Sequence, residues 1–172
     1  GKIENKLVDF NELQSSLSEI NPDHVFCTLG TTIKKAGSQK AFRHVDYDLV
    51  LELGKWAERK NVEYFGVVTS MGADSKSNFF YNKVKGEIEL SLSKLKLKRL
   101  GIFRPSLLLG KRKEKRFGEG FAKLFFCITS WLFIGPLENY KAISSDNVAV
   151  AMIKDSFNPT EGKRIISNKE ML

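Results

Sequence analysis

The chain has 172 residues, of which 42% are hydrophobic and 28% charged, and it carries a formal net charge of +8. This length suits one domain with one core, and the composition excludes a disordered, collagen-like or low-complexity chain. The two cysteines and two histidines form no CxxC or Cys/His cluster. They leave little material for a metal site or a disulfide framework, so no metal and a reducing, cytoplasmic location are expected.

The positive charge is concentrated in the second half of the chain. Residues 1–90 hold 12 basic and 13 acidic residues, whereas residues 91–172 hold 16 and 7. Ten basic residues and one acid lie between Lys94 and Arg116. Such a run attracts nucleic acid, anionic lipid or a phosphorylated ligand, although a solvated face with an exposed basic loop is the commoner explanation. No recognition helix, zinc finger or RNP-type strand accompanies it, so nucleic-acid binding is not expected.

The predicted elements alternate along the chain. Short, near-continuous apolar runs predict buried strands at residues 24–29, 63–69 and 100–104. Residues 5–10 and 163–167 are interpreted as two further strands. Apolar residues at three- and four-residue spacing predict helices, at about residues 11–20, 43–60, 79–95 and from Asp146 onward. Strands that alternate with helices are typical of parallel βαβ units. We therefore expect one α/β domain over residues 1–172, with a doubly wound parallel sheet in three layers.

The segment at residues 121–135 is apolar nearly all round. Its uncharged run after Lys123 has about 12 residues, fewer than the ~18–20 that cross a bilayer. A buried helix or a pocket wall is the favoured interpretation, and a small substrate-side region is expected at about residues 106–140. A helix in a membrane interface, next to the basic run at residues 111–116, is the second interpretation. A contact between two copies of the chain in a homodimer is a further possible role of these apolar residues.

Tyr81 and Lys85 form a pair at four-residue spacing in a predicted helix, which places both side chains on one face. A cation near a phenol favours the phenolate and lowers its pKa from about 10. The tyrosine could then exchange a proton with an alcohol or a carbonyl. A ring packed on the sheet beside a lysine that reaches water is the commoner explanation of such a pair.

Ser70 lies just past the carboxyl end of a predicted parallel strand, where open α/β sheets bind their ligands. Its hydroxyl could bind the substrate oxygen on which Tyr81 acts. Thr69 is a rival for this role, because the sequence does not show which side chain points into the crevice. A turn or helix cap is the ordinary role of a serine in such a loop.

Four stretches together resemble the atypical short-chain dehydrogenase/reductases, in the branch of Tat-interacting-protein-like and nucleoside-diphosphate-sugar-epimerase-like proteins. They are VFCTLGTT at 25–32, VTSMGAD at 67–74 followed by NFFYNKVKGEIE at 78–89, FRPSLLLGKR at 103–112, and SSDNVAVAMI at 144–153. Their order and spacing match the family over nearly the whole chain. The resemblance implies a Rossmann-like fold that binds NADP or NAD, with NADP slightly favoured.

The resemblance also implies a role for each matching position. Ser70, Tyr81 and Lys85 match the catalytic hydroxyl, the acid/base tyrosine and the lysine that also reaches the nicotinamide ribose. The implied cofactor-binding residues are Asp9, Phe10, Leu29, Gly30, Thr31, Thr69, Tyr81, Lys85, Arg104, Pro105, Leu107 and Leu108. The segment after Arg104 would lie beside the nicotinamide and the mouth of the substrate pocket.

One feature of this family is missing from the sequence. Its Gly-rich phosphate loop lies between the first strand and the first helix, and no G-x-G-x-x-G or G-x-x-G-x-x-G is present here. Without that loop, the pyrophosphate lacks its main anchor. The residue that selects NAD or NADP after the second strand is also missing. We expect an amino-terminal βαβ segment to precede Gly1, because a sheet that begins at its third strand would leave a central edge exposed.

These observations predict an NAD(P)-binding oxidoreductase or epimerase-like enzyme that acts on an alcohol or carbonyl of unknown identity. The alternative is a module that senses NADPH and regulates a partner without turnover, since a fold does not fix a function. Attachment to anionic membranes through residues 111–116 is a third, less favoured hypothesis.

Overall fold

The computed structural model describes residues 2–109 and 140–172. The strands described are His24–Cys27 (β1), Tyr64–Val68 (β2), Arg99–Arg104 (β3), Leu108–Leu109 (β4), Ile143–Ser144 (β5) and Gly162–Ser167 (β6). The α-helices described are Leu13–Ser16 (α1), Ile33–Ala36 (α2), Gln39–Arg43 (α3), Leu49–Arg59 (α4), Phe80–Leu92 (α5), Ser145–Ser156 (α6) and Asn168–Met171 (α7). A 3-10 turn, Phe10–Glu12, and a π-helical turn, His44–Asp48, complete the set.

A parallel sheet with the order β1-β2-β3-β6 organises the described residues. β2 and β3 are its inner strands, and their residues are buried almost throughout. Burial on both faces explains why the apolar runs in the sequence are near-continuous rather than alternating. β4 and β5 form a separate short parallel pair beyond the carboxyl end of β3.

Helices cover both faces of this sheet. On one face α4 and α5 pack on β2 and β3, in a core that includes Trp56, Ile88, Phe65 and Ile102. On the other face α6 packs through residues such as Met152 against Phe103 and its neighbours. The doubly wound parallel α/β fold predicted from the sequence is therefore confirmed.

Residues 39–59 form one helical run made of α3, the π-helical turn and α4. Ser38 begins it, because its side chain accepts a 3.1 Å hydrogen bond from the backbone N–H of Ala41. The π-helical turn lies over α5 and carries Asp46, which is 1% exposed, towards the interior. The helix predicted at residues 43–60 thus begins earlier than expected and contains an irregular turn.

The strand predicted at residues 5–10 is wrong. These residues lie in irregular structure that ends in the Phe10–Glu12 turn, and α1 is one turn long instead of the helix predicted at 11–20. The apolar pattern of the segment has another cause, since Val8 and Phe10 pack against the core beside β1. The other predicted strands and helices are present, and apart from the start of the helix predicted at 43–60 their ends differ by at most three residues. The helix predicted at 121–135 lies outside the described residues.

Candidate cofactor and substrate site

Lys85 is held by a buried carboxylate. Its ammonium nitrogen Nζ lies 2.7 Å from Oδ1 of Asp46, and the two side chains are 6% and 1% exposed. The other carboxylate oxygen, Oδ2, accepts a 2.8 Å hydrogen bond from the backbone N–H of Thr31. Oδ1 has no other donor among the described residues. One carboxylate thus joins α5 to the loop that follows β1.

Gly30 passes close to this ion pair. A Cβ at Gly30 would lie 3.3 Å from Asp46 Oδ1 and 3.8 Å from Lys85 Nζ, so a side chain there would crowd the carboxylate. Gly30, Thr31 and Lys85, which the sequence analysis assigned to cofactor binding, are therefore brought together. The thiol of Cys27 lies just before this loop, and burial raises its pKa, so it stays protonated.

Ser70 is buried at the carboxyl end of β2. It is 9% exposed, and its hydroxyl oxygen has no hydrogen-bond partner among the described residues. Buried polar atoms are nearly always paired, so an unpaired hydroxyl here indicates that water or a ligand supplies the partner. The carboxyl edge of a parallel sheet is where such a ligand binds.

Tyr81 lies in the first turn of α5, one turn before Lys85. Its ring packs on the buried ring of Phe42, with centroids 5.6 Å apart, and the residue is 37% exposed. The tyrosine is therefore fixed by packing, while its hydroxyl has no partner among residues 2–109 and 140–172 and remains available to a substrate.

Gly86 sets the position of α5 against the loop at residues 70–79. A Cβ at Gly86 would lie 2.1 Å from the backbone nitrogen of Ser75 and 2.3 Å from the carbonyl carbon of Asp74. Across the same contact, the backbone N–H of Asp74 donates a 3.0 Å hydrogen bond to the carbonyl of Asn82. The loop that begins at Ser70 is thus docked directly on the helix that carries Tyr81 and Lys85.

The hydroxyl of Thr69, unlike that of Ser70, already has a hydrogen-bond partner in the protein. Its hydroxyl donates a 2.7 Å hydrogen bond to Oε1 of Glu89, which is itself 5% exposed. Arg104 contacts both oxygens of the same carboxylate, with 3.0 Å between Nε and Oε1. These hydrogen bonds raise the pKa of the Arg104 guanidinium above its already high value. Of the two rival hydroxyls, Ser70 is the one left free for a ligand.

The segment after β3 is tied to its neighbours by backbone contacts. The carbonyl of Pro105 accepts a 2.9 Å hydrogen bond from the N–H of Met71, and the carbonyl of Leu107 accepts a 3.0 Å bond from Ile143. Leu108 pairs with Ile143 between β4 and β5. Pro105 therefore lies beside the loop that holds Ser70, whereas Leu107 is 39% exposed.

Phe10 and Leu29 line the same cavity. Both line an open apolar cavity of about 270 Å³ between β1 and the amino-terminal segment, together with Phe26 and other side chains. Asp9 precedes the Phe10–Glu12 turn, and its carbonyl accepts a 3.1 Å hydrogen bond from Glu12. The structure therefore places Phe10 and Leu29 beside β1, and Asp9 directly before Phe10 in the chain.

Three buried polar residues at this edge were missed by the sequence analysis. Asp46 and Glu89 hold Lys85 and Arg104, and Asn168 joins the loops at Ser106 and Lys141 through 2.9 and 2.8 Å hydrogen bonds. Glu89 follows Lys85 by four residues and shares its helix face, which was a usable signal. Asp46 and Asn168 give no such signal, because an acid in a helix and an asparagine after a strand usually face water.

The residues present fit the nicotinamide half of a dinucleotide. The unpaired Ser70 hydroxyl, the available Tyr81 hydroxyl and the Lys85 ammonium match a sugar and a carbonyl substrate, and Gly30 lets backbone approach a ligand closely. Within the described ranges, no group of acids, histidines and cysteines is arranged to hold a metal ion. No helix in the same ranges is long and apolar enough to cross a membrane.

Solved structures share this fold. The Bordetella bronchiseptica enzyme WbmG, solved in complex with NAD, superposes with a TM-score of 0.63 at 13% identity over 96% of this chain and 56% of its own. The dTDP-4-dehydrorhamnose reductase of Bacillus anthracis, solved in complex with NADP, gives 0.66 at 11% identity, over 92% of this chain and 61% of its own. At these identities the likeness shows the fold, which is the Rossmann fold of nicotinamide-dinucleotide enzymes.

Curated relatives are more similar in sequence. Protein HTATIP2 of Rattus norvegicus is 36% identical over 99% of this chain and 69% of its own length. The mitochondrial protein fmp52 of Emericella nidulans is 40% identical over 68% of this chain and 51% of its own length. The chain therefore spans about one half to two thirds of the proteins it resembles.

Two sequence-based predictions are decided by these relatives. The cytoplasmic location is contradicted, because several of the fungal relatives are named as mitochondrial proteins. The resemblance to Tat-interacting-protein-like short-chain dehydrogenase/reductases is confirmed by the match to protein HTATIP2. The model of the HIM1 family matches residues 2–125, so the chain belongs to the HIM1 family.

Proposed function

We propose that this protein binds a nicotinamide dinucleotide and exchanges a hydride with a carbon that bears an alcohol or a carbonyl. The observation that carries the proposal is the buried, unpaired hydroxyl of Ser70 at the carboxyl end of β2. The available hydroxyl of Tyr81 and the buried ammonium of Lys85 lie on the helix docked against the Ser70 loop. Short-chain dehydrogenase/reductases use a hydroxyl, a tyrosine and a lysine in this way.

Each side chain has a defined task in the reduction of a carbonyl. The bound nicotinamide would supply the hydride to the carbonyl carbon. Ser70 donates a hydrogen bond to the carbonyl oxygen and orients it, and Tyr81 transfers its proton to that oxygen. The phenolate left on Tyr81 is stabilised by the positive charge of Lys85. In the reverse direction the phenolate takes the proton of the alcohol.

Either NADP or NAD is proposed as the cofactor, since structural neighbours were solved with each. Ser70, Tyr81 and Lys85 would contact the substrate and the nicotinamide half of the cofactor, and this half is identical in the two dinucleotides. Titration of NADPH and NADH into the protein, followed by the fluorescence of the reduced nicotinamide, determines which one it prefers.

Replacement of the acid/base group tests the reaction. Tyr81→Phe should lower the rate of hydride transfer by about 10²–10⁴-fold on any carbonyl substrate that the wild type reduces. Tyr47→Phe is the matched control. The Tyr47 hydroxyl forms a 2.9 Å hydrogen bond with Ser91, and this pair lies outside the site. It should leave the rate close to that of the wild type.

Two results would count against the proposal. Turnover by Tyr81→Phe at the wild-type rate would remove the tyrosine from the chemistry. Binding of NADPH without turnover across a panel of aldehydes, ketones and sugar nucleotides would instead favour the regulatory alternative.

A further inference from the structure

We propose that Asn168 is a positioning residue that fixes Ser70 for the reaction, through the peptide group between Pro105 and Ser106. The inference rests on the proposed function and deepens it, because it adds to the site a residue that acts through another. Asn168 directly follows β6 and is 1% exposed. Asparagine is mostly found at protein surfaces, so a buried one requires an explanation.

The strands β2, β3 and β6 end side by side at the carboxyl edge of the sheet. The pairing of β2 with β3 runs up to Phe103, and that of β3 with β6 runs up to Ser167. The backbone hydrogen bonds continue past the end of β2, where the N–H of Thr69 donates to the carbonyl of Phe103 at 2.8 Å. The residues that follow the three strands are therefore neighbours, although they are far apart in the sequence.

One peptide group joins the Ser70 loop to Asn168. Its carbonyl, that of Pro105, accepts a 2.9 Å hydrogen bond from the N–H of Met71, the residue after Ser70. Its N–H, that of Ser106, donates a 2.9 Å hydrogen bond to Oδ1 of Asn168. The peptide group is trans and planar, so its C=O and N–H point in opposite directions and move together. A shift of one end therefore shifts the other.

The side chain of Asn168 supplies an acceptor that the backbone of β6 does not. β6 ends at Ser167, and α7 begins there with the capping box of Ser167 and Glu170. The amide oxygen of Asn168 accepts the N–H of Ser106 at this point, and its Nδ2 donates a 2.8 Å hydrogen bond to the carbonyl of Lys141. Because both ends of the amide are bonded, the orientation of the side chain is fixed.

The hydroxyl of Ser70 depends on this arrangement, because it has no tie of its own. Its oxygen is buried and has no hydrogen-bond partner among the residues that the structure describes. Its position is set by the backbone on either side, which is held through the N–H of Thr69 and the N–H of Met71. The second of these bonds depends on where the peptide group of Pro105 lies. A misplacement of about 1 Å can lower a reaction rate about 100-fold.

Replacement of Asn168 tests the inference. Asn168→Ala removes the acceptor of the Ser106 N–H, so the peptide group is free to shift. With NADPH as the hydride donor, kcat/KM for 4-nitrobenzaldehyde, or for the aldehyde or ketone that the wild type reduces fastest, should fall about 10–100-fold. The affinity for NADPH should stay unchanged, because Ser70 would bind the substrate and not the cofactor.

A double variant shows whether Asn168 acts through Ser70. Ser70→Ala removes the hydroxyl that is positioned, so Ser70→Ala/Asn168→Ala should have nearly the kcat/KM of Ser70→Ala alone. A general loss of structure would instead add a further decrease.

Asn158→Ala is the matched control. The side-chain oxygen of Asn158 accepts a 2.9 Å hydrogen bond from the N–H of Thr160. Its carbonyl accepts a hydrogen bond from Arg99, the first residue of β3, so it lies at the opposite edge of the sheet. Asn158→Ala should leave both kcat/KM and the affinity for NADPH unchanged.

Hydrogen exchange followed by NMR tests the same contact without turnover. The N–H of Met71 should be protected in the wild type, and Asn168→Ala should speed its exchange while the amides of β2 keep their rates. This measurement also decides the matter if Asn168→Ala does not fold. A Met71 N–H that exchanges in the wild type as fast as an unbonded loop amide would overturn the inference.

Three results with the variants would overturn the inference alone. They are a wild-type kcat/KM in Asn168→Ala, additive losses in the double variant, and an affinity for NADPH that falls as far as kcat/KM does. Wild-type protein that reduces no aldehyde or ketone would overturn the proposed function and this inference with it.

Discussion

Replacement of Gly86 by alanine should destabilise the protein strongly. The added Cβ would lie 2.1 Å from the backbone nitrogen of Ser75, so the helix and the loop must separate by about 1 Å to reach van der Waals contact. The obstacle is backbone on both sides, which cannot rotate away as a side chain can. Overpacking of this kind costs about 3 kcal/mol, against which alanine recovers up to about 1 kcal/mol of helix propensity.

Gly54→Ala is the matched control for this prediction. Gly54 is also inside a helix, and its added Cβ would lie 2.4 Å from the Cδ2 methyl of Leu92, but that atom is the end of a flexible side chain. A small rotation of Leu92 relieves the contact, so the free energy of unfolding should stay within about 1 kcal/mol of the wild type. Urea denaturation followed by circular dichroism measures both variants. Equal destabilisation of Gly86→Ala and Gly54→Ala would refute the argument from backbone contact.

Two further stability predictions follow from buried and terminal hydrogen bonds. Tyr64→Phe removes a 2.8 Å hydrogen bond to Asp155 and should lower the free energy of unfolding by about 1–2 kcal/mol at pH 7 in urea denaturation. Burial, with the hydrogen bond to Asp155, raises the pKa of Tyr64 above its ordinary value of about 10, so the unfolded chain loses this proton first. Stability should therefore decline above about pH 10 in the wild type, and a decline that is equally steep in Tyr64→Phe would contradict this cause. Ser167→Ala removes the capping box with Glu170 and should cost about 1 kcal/mol in thermal unfolding, with no loss if the cap is frayed in solution.

The parallel sheet was predictable because its strands are buried on both faces. Runs such as the one at residues 64–68 are too short for a buried helix and too continuous for a surface strand. The segment at residues 5–10 also contains apolar residues but forms no strand, because pairing depends on a neighbouring strand that local sequence does not reveal. Its apolar residues Val8 and Phe10 instead pack against the core.

The site was predictable to the extent that its residues follow local rules. Tyr81 and Lys85 were found from their helical spacing, and Ser70 from its place after a strand. Asp46 was not found, because it reaches Lys85 across 39 positions in the sequence and lies in a π-helical turn that no simple periodicity describes. The choice between Thr69 and Ser70 also required the structure, which shows that the hydroxyl of Thr69 already donates a hydrogen bond to Glu89.

The π-helical turn at His44–Asp48 changes the rotation about the helix axis between the residues before it and the residues of α4. An α-helix advances about 100° per residue, and a π-helical turn accommodates one residue more than an α-helical turn. The core-facing stripe of α4, with Trp56 and Ala57, is therefore set apart in rotation from the side chain of Asp46. Deletion of one residue of this turn other than Asp46 would restore regular helix and rotate Asp46 relative to α4 by about 100°, away from Lys85. A one-codon deletion there would separate the carboxylate from the lysine while leaving every side chain of the site in the sequence.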